Sequence, residues 1–220
     1  MLIHQLAAHW RMEVKVFPPC AIRFNGRTPM PIPERKKDKN YSYQDYLTWP
    51  DGERWEIIHG EAWAMTPAPT IAHQRILRNA ARTLTAFFKE HPCELFLAPT
   101  DVVLDTINIV QPDLLVVCDP VKITDANIQG APDLIIEIAS PSTKLMDKRD
   151  KKALYEKFGV KEYAIFYPDD ALVERFRMEG GKFEGPDVFN WDERWISLAF
   201  PDLEIPLWEI FEKTLPKIDA

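Results

Sequence analysis

The stretch PDLIIEIASPST, residues 132–143, decides how the chain is read. Leu134, Ile135, Ile136, Ile138 and Ala139 make a nearly continuous apolar run, the pattern of a strand covered on both faces. Glu137 interrupts that run. An ionised carboxylate in such a strand is costly unless something compensates its charge. A second run of the same kind, QPDLLVVCD at 111–119, puts Asp113 at the mouth of another buried strand. Asp133 precedes Glu137 by four residues, roughly 13 Å along an extended chain. The two cannot share an ion whose oxygens sit about 2.1 Å from it. Asp113, on a neighbouring strand about 4.8 Å away, can converge with Glu137. The Pro-Asp dipeptide itself says nothing, because it occurs six times, mostly where proline presets a turn.

Two converging carboxylates repel unless a proton or a cation lies between them. Mg²⁺ (or Mn²⁺) suits an oxygen-only site without His or Cys ligands. The competing readings are that Glu137 pairs with a core Arg or Lys, or reaches solvent at its strand end. Directly after SPST comes LMDKRDKKALYEKFG, in which Asp147, Lys151 and Tyr155 recur every four residues and share one helix face. A lysine there can orient a water and offset charge on a phosphorane-like transition state. Lys148 and Lys152 are its rivals one step round the helix, and an ordinary surface role is the plain alternative.

Outward from this centre, the chain of 220 residues has the length of one large domain, and 46% hydrophobic residues give it material for a sizeable core. No apolar run approaches the roughly 18 residues of a membrane span, and the N-terminal stretch lacks a secretory h-region. A cytoplasmic protein with no membrane partner is expected. Cys20, Cys93 and Cys118 form no CxxC pair and predict neither a disulfide framework nor a zinc site; Cys118 reads as a small core residue. The formal charge of −7 argues against a protein that coats nucleic acid non-specifically. KLMDKRDKK at 144–152 carries five basic and two acidic residues and reads first as a solvated helix face.

Residues 1–38, rich in proline and short of periodicity, are expected to form an irregular extension to a domain over 39–215. YSYQDYLTWP predicts a short helix capped by Ser42. RWEIIHGEAWAM predicts a hairpin turning at His59-Gly60, with Ile58 facing Glu61, Glu56 facing Trp63, and Glu56 and Glu61 on one side. TIAHQRILRNAARTLTAFFKE is the strongest helix, with Thr70 as N-cap and His73 in the first turn. Strands follow at CELFLA, DVVLD, DLLVVCD and DLIIEIA, then a helix ended by Gly159, a buried strand KEYAIFYP and a hairpin at Gly180-Gly181. The tail reads as strand, loop and short helix. The order predicts an α/β or α+β fold, one mixed sheet flanked by helices, with an extra N-terminal hairpin.

Five segments in this order, RWEIIHGEAWAMTPAPTIAHQRI, IVQPDLLVV, DLIIEIASPST, DKKALYEKFGVKEYAIFYPD and FPDLEIPLWEIF, resemble the Uma-type family of the PD-(D/E)xK nuclease superfamily over about residues 41–211. The resemblance implies a restriction-endonuclease-like core and a metal-dependent endonuclease that hydrolyses DNA. Asp113 matches the family's PD aspartate, Glu137 its second acid, Glu61 with Glu56 its hairpin acids, and Lys151 its helical lysine four residues before Tyr155. It implies Asp113, Glu137 and Glu61 as metal ligands, these with Lys151 as catalytic residues, and Glu56, His73, Gln111 and Tyr155 as supporting residues. The strand position at which the wider superfamily has its lysine is Ala139 here. That departure keeps a catalytically inactive module, binding nucleic acid or protein, as the alternative. Duplex cleavage takes two sites, so the expected partners are duplex DNA and a second copy of the chain.

Overall fold

The computed structural model describes residues 35–36, 40–50, 52–65 and 68–216. The expected extension lies outside the described residues except for Arg35 and Lys36. In chain order the elements are β1 (Arg35–Lys36), α1 (Tyr43–Tyr46), β2 (Trp55–Ile58), β3 (Glu61–Ala64), α2 (Ile71–Phe88), β4 (Glu94–Leu97), β5 (Val102–Asp105), β6 (Asn108–Val110), β7 (Leu114–Val117), β8 (Ile128–Gln129) and β9 (Leu134–Ile138). A helical stretch follows: α3 (Lys144–Met146), a π-helical turn (Asp147–Lys151) and α4 (Lys152–Phe158). Then come β10 (Glu162–Tyr167), β11 (Leu172–Glu179), β12 (Lys182–Asn190), β13 (Arg194–Ile196), β14 (Glu204–Pro206) and α5 (Leu207–Ile210).

The expected single mixed sheet is in fact two six-stranded sheets and a two-stranded ribbon. One sheet has the order β12-β11-β10-β9-β7-β4 and carries the apolar runs; β9 and β10 are parallel and the helical stretch between them is the crossover. The other has the order β1-β3-β2-β6-β5-β8. The difference arises at DVVLDTINIV: these residues fold back on themselves as β5 and β6, and β6 then joins the β2–β3 hairpin through Ile57 and Ile109. That hairpin has the expected register, Ile58 opposite Glu61 and Glu56 opposite Trp63, with His59 and Gly60 both at positive φ in the turn.

Alternation along β7 and β9 splits the core. Leu114, Val116, Leu134, Ile136 and Ile138 face α2 and the C-terminal segment around Trp195. Leu115, Val117 and Ile135 face the other way, toward Leu154 and Tyr155 of α4 and toward Ile58, Val102 and Val110 of the second sheet. Asp113 and Glu137 fall on this second face by parity. The pairing of Leu114 with Ile136 and Leu115 with Ile135, extended by one residue, sets Asp113 opposite Glu137.

A disulfide joins Cys93 and Cys118, contrary to the sequence expectation. The reason is register: Glu94 pairs with Val117 in the β4–β7 ladder, so the next residues outward are directly opposed. A separation of 25 residues hides that opposition from any spacing motif. Among the described residues no helix is long and apolar enough to cross a membrane.

Ile136, 1% exposed in the central strand β9, fills the core between that strand and α2. Its replacement by alanine should cost about 2–5 kcal/mol of stability, read as a lowered urea midpoint at unchanged slope.

Candidate functional site

Several elements that meet the second core face deliver polar groups to a single place. Glu137 comes from the middle of β9 because its odd-numbered neighbours Ile135 and Ala139 share its face. Glu56 comes from β2 by the same alternation. Asp147 and Lys151 come from the π turn, four residues apart and so on one side of the helical stretch. Tyr155 follows one turn later.

The Lys151 ammonium stands at the centre, 2.8 Å from Glu56 Oε1, 3.0 Å from Glu137 Oε1 and 3.8 Å from Asp147 Oδ1. All four side chains are at most 5% exposed. The Tyr155 hydroxyl donates to Glu137 Oε1 at 2.9 Å, and the Gln111 main-chain N–H donates to Glu56 Oε1 at 2.9 Å. Tyr163, stacked edge-on against Tyr155, donates to the Asp147 carbonyl at 3.1 Å. Asp113 is held through Oδ2, which accepts the Ile138 N–H at 2.8 Å and lies 3.1 Å from His73 Nε2. Thr70 caps α2 through the His73 N–H, as the sequence predicts, and so fixes where that imidazole stands. Among the described residues the other ring nitrogen of His73, Nδ1, is buried without a hydrogen-bond partner.

Glu56, His73, Gln111, Asp113, Glu137, Asp147 and Lys151 line a cavity of about 150 Å³, together with Arg54, Thr70 and the Ser140–Thr143 loop, while Tyr155 and Tyr163 stand behind its wall. Three carboxylates, Glu56, Glu137 and Asp147, meet one buried ammonium there, and a fourth, Asp113, lines the same cavity. The electrostatics follow from that count. Burial pushes the Glu137 carboxyl well above the usual carboxylate range, and the Asp147 and Asp113 charges add to it while Lys151 opposes it. Burial raises Asp147 to about 7 against the pull of Lys151. Burial disfavours the Lys151 charge too, but Glu137, Glu56 and Asp147 outweigh it and hold the ammonium protonated. Burial and the Glu137 charge raise Tyr155, which stays a donor.

The structure brings together Asp113, Glu137, Lys151, Tyr155, His73, Gln111 and Glu56 from the sequence expectations. Glu61 is not among them. It sits beside the turn opposite Ile58, two residues or about 7 Å along the hairpin from the pair Glu56–Trp63, and outside the cavity lining. Glu56 lines the cavity and pairs with Lys151 at 2.8 Å. Sequence reasoning put Asp147 on the lysine's face without a role, and it passed over Arg54. Ala139 is buried among Leu154, Tyr155 and Ile135, which leaves the helix as the source of the lysine.

Among the described residues no group of three or more His, Cys, Asp or Glu is spaced to hold a metal ion. A magnesium site does not need such a cage, since that ion binds through one or two carboxylates and keeps several waters. Asp113 and Glu137 fit that requirement. They are hard oxygen donors in register, each with its described hydrogen bonds on one oxygen only, in a cavity with an excess of negative charge.

Residues 43–208 match the family Uma2, described as "Putative restriction endonuclease". Among solved structures, the chain is similar to a protein from Anabaena variabilis ATCC 29413, titled a putative nuclease belonging to DUF820. The match has 20% identity and a TM-score of 0.66, and covers 78% of this chain and 97% of that one. At that identity the likeness shows the fold. No curated protein matches the chain.

Two outcomes follow from the charge balance. Lys151→Met should destabilise the fold by about 3–5 kcal/mol in chemical denaturation, because it leaves buried carboxylates uncompensated. Asp147, raised from 3.8 to about 7, contributes stability that is full below the first value and lost as pH rises through the second. With chelator present, the urea midpoint should therefore fall between about pH 4 and about pH 8 by more in the wild type than in Asp147→Asn.

Proposed function

The chain belongs to the Uma2 family, and from that premise we propose that it is a divalent-metal-dependent endonuclease that hydrolyses phosphodiester bonds of duplex DNA. The observation that carries the reading is the opposition of Asp113 and Glu137 across β7 and β9, with the Lys151 ammonium 3.0 Å from Glu137. Asp113 and Glu137 would hold Mg²⁺ or Mn²⁺, with the main-chain carbonyl of Ile138 as a further oxygen at the cavity wall. The bound ion supplies Lewis acidity toward the phosphate and a water of lowered pKa.

The chain's own residues do the rest. The Ile138 N–H and His73 hold Asp113 through Oδ2 and leave Oδ1 for the ion. Tyr155 holds Glu137 through Oε1 in the same way. Lys151, fixed by Glu56 and Asp147, orients the attacking water and offsets the charge that develops on the phosphorane-like transition state. Its rigid placement matters, because a positioned cation in a dry site stabilises charge without reorganisation at the moment of reaction. A symmetric homodimer would present one such site to each strand of the duplex.

One observation favours a second reading, a binding module without catalysis: Lys151 already compensates three carboxylates, and Ala139 stands at the strand-lysine position. A nicking assay on supercoiled plasmid separates the two. Asp113→Ala and Glu137→Ala should each abolish Mg²⁺-dependent nicking while the circular dichroism spectrum stays that of the wild type. Nicking that survives in either purified variant removes the catalytic assignment, and gel-shift binding by a wild type that never nicks selects the module.

A further inference from the structure

Arg54 is the cation in the cavity that the proposed chemistry does not use. It directly precedes β2, two residues before Glu56 and so on the same side of the chain, and its carbonyl accepts the Met65 N–H at 2.9 Å. Arg54 is half-buried and lines the cavity that holds Asp113, Glu137 and Lys151. In a space with four carboxylates an arginine ordinarily forms a fork to one of them. Arg54 does not. Among the described residues no carboxylate lies within ion-pair distance of it; its Nε–H and an Nη2–H both donate to Gln111 Oε1, at 3.0 and 2.9 Å. The nearest acid in sequence, Glu53, accepts instead from the Trp55 indole at 2.9 Å.

The amide that holds Arg54 is itself fixed. Gln111 Nε2 donates to Asp101 Oδ1 at 2.8 Å and contacts the Tyr46 hydroxyl at 3.1 Å, and that hydroxyl donates to Asp101 at 3.0 Å. Asp101 can only accept, so the amide cannot turn over, and its oxygen is committed to the guanidinium. Tyr46 is pushed up to about 12 by burial and by the Asp101 charge, so it remains a donor. The chain thus orients a guanidinium through a neutral acceptor. Among the described residues the guanidinium is ion-paired with no carboxylate and its Nη1 makes no hydrogen bond. That arrangement suits an oxyanion, and arginine's planar donor fork matches phosphate.

Resting on the nuclease reading, we infer that Arg54, oriented by Gln111, is a substrate-binding residue that grips a phosphate of the DNA backbone beside the one that is cleaved. The scissile group needs the Asp113–Glu137 end of the cavity; a guanidinium anchored on β2 takes a neighbouring phosphate and fixes the strand's register on the site. Arg54 is therefore a positioning residue for the substrate and contributes nothing to metal binding.

The test is fluorescence anisotropy of a labelled duplex with Ca²⁺ in place of Mg²⁺, across a range of salt concentrations. Arg54→Ala should weaken binding about tenfold and lower the slope of log affinity against log salt by about one. Arg54→Lys should fall between, since it restores the charge without the fork. Mn²⁺ titration of the same variants should give the wild-type affinity, which shows that the fold and the carboxylate pair are intact. Wild-type binding and slope in Arg54→Ala overturn the inference and leave the nuclease reading standing. A weakened Arg54→Ala with an unchanged slope overturns it too, because a structural loss removes no phosphate contact. A wild type that binds no duplex overturns both.

Discussion

The buried ammonium of Lys151 is the constraint around which the rest of the molecule is arranged. It draws Glu56 from one sheet, Glu137 from the other and Asp147 from the crossover helix to within 4 Å of one atom. Burying four charged groups together is expensive, and such an arrangement persists only where hydrogen bonds complete it. Here they do: Tyr155 serves Glu137, the Gln111 N–H serves Glu56, and Asp113 beside them takes the Ile138 N–H. The two sheets and the helix are therefore fixed relative to one another by chemistry as well as by packing.

That constraint explains why the lysine can leave the strand. A residue two after Glu137 lies on the same face of β9 and would point at the cavity from the sheet. In this chain the position is Ala139, packed under Leu154 and Tyr155. The crossover helix then lies close enough for Lys151 to reach Glu137 from above. The π turn is part of the same solution. Asp147 and Lys151, four residues apart in that turn, are both buried on the cavity side.

The central sheet was legible because its strands are written as apolar runs with a charge where none is cheap. Glu137 and Asp113 stood out for that reason, and their opposition follows once β7 and β9 are neighbours. The helix face Asp147–Lys151–Tyr155 was legible from its spacing. What could not be read are the pairings between segments distant in sequence. Asn108 sits in a three-residue strand with no alternation to reveal it, so the second sheet was invisible. The disulfide depends on the β4–β7 register, which no motif encodes. The choice of Glu56 over Glu61 is a matter of one hairpin step. Both point the same way, and only the position of Lys151 selects between them.

An acidic chain that handles a polyanion must place its positive charge locally, and the described basic residues show how sparing this one is. The run at 144–152 looks basic in sequence, yet Lys144 pairs with Asp170 and Lys148 with Glu174. Along α2, Arg75 and Arg78 pair with Glu212 and Arg82 with Glu209. Such exposed pairs contribute little to stability, about 0–1 kcal/mol each, but they cancel the field that would attract nucleic acid indiscriminately. Inside the cavity the balance reverses: carboxylates exceed cations, and Arg54 is tied to an amide rather than to a carboxylate. On the proposed nuclease reading, selectivity for a phosphate backbone rests on entering the cavity rather than on touching the surface.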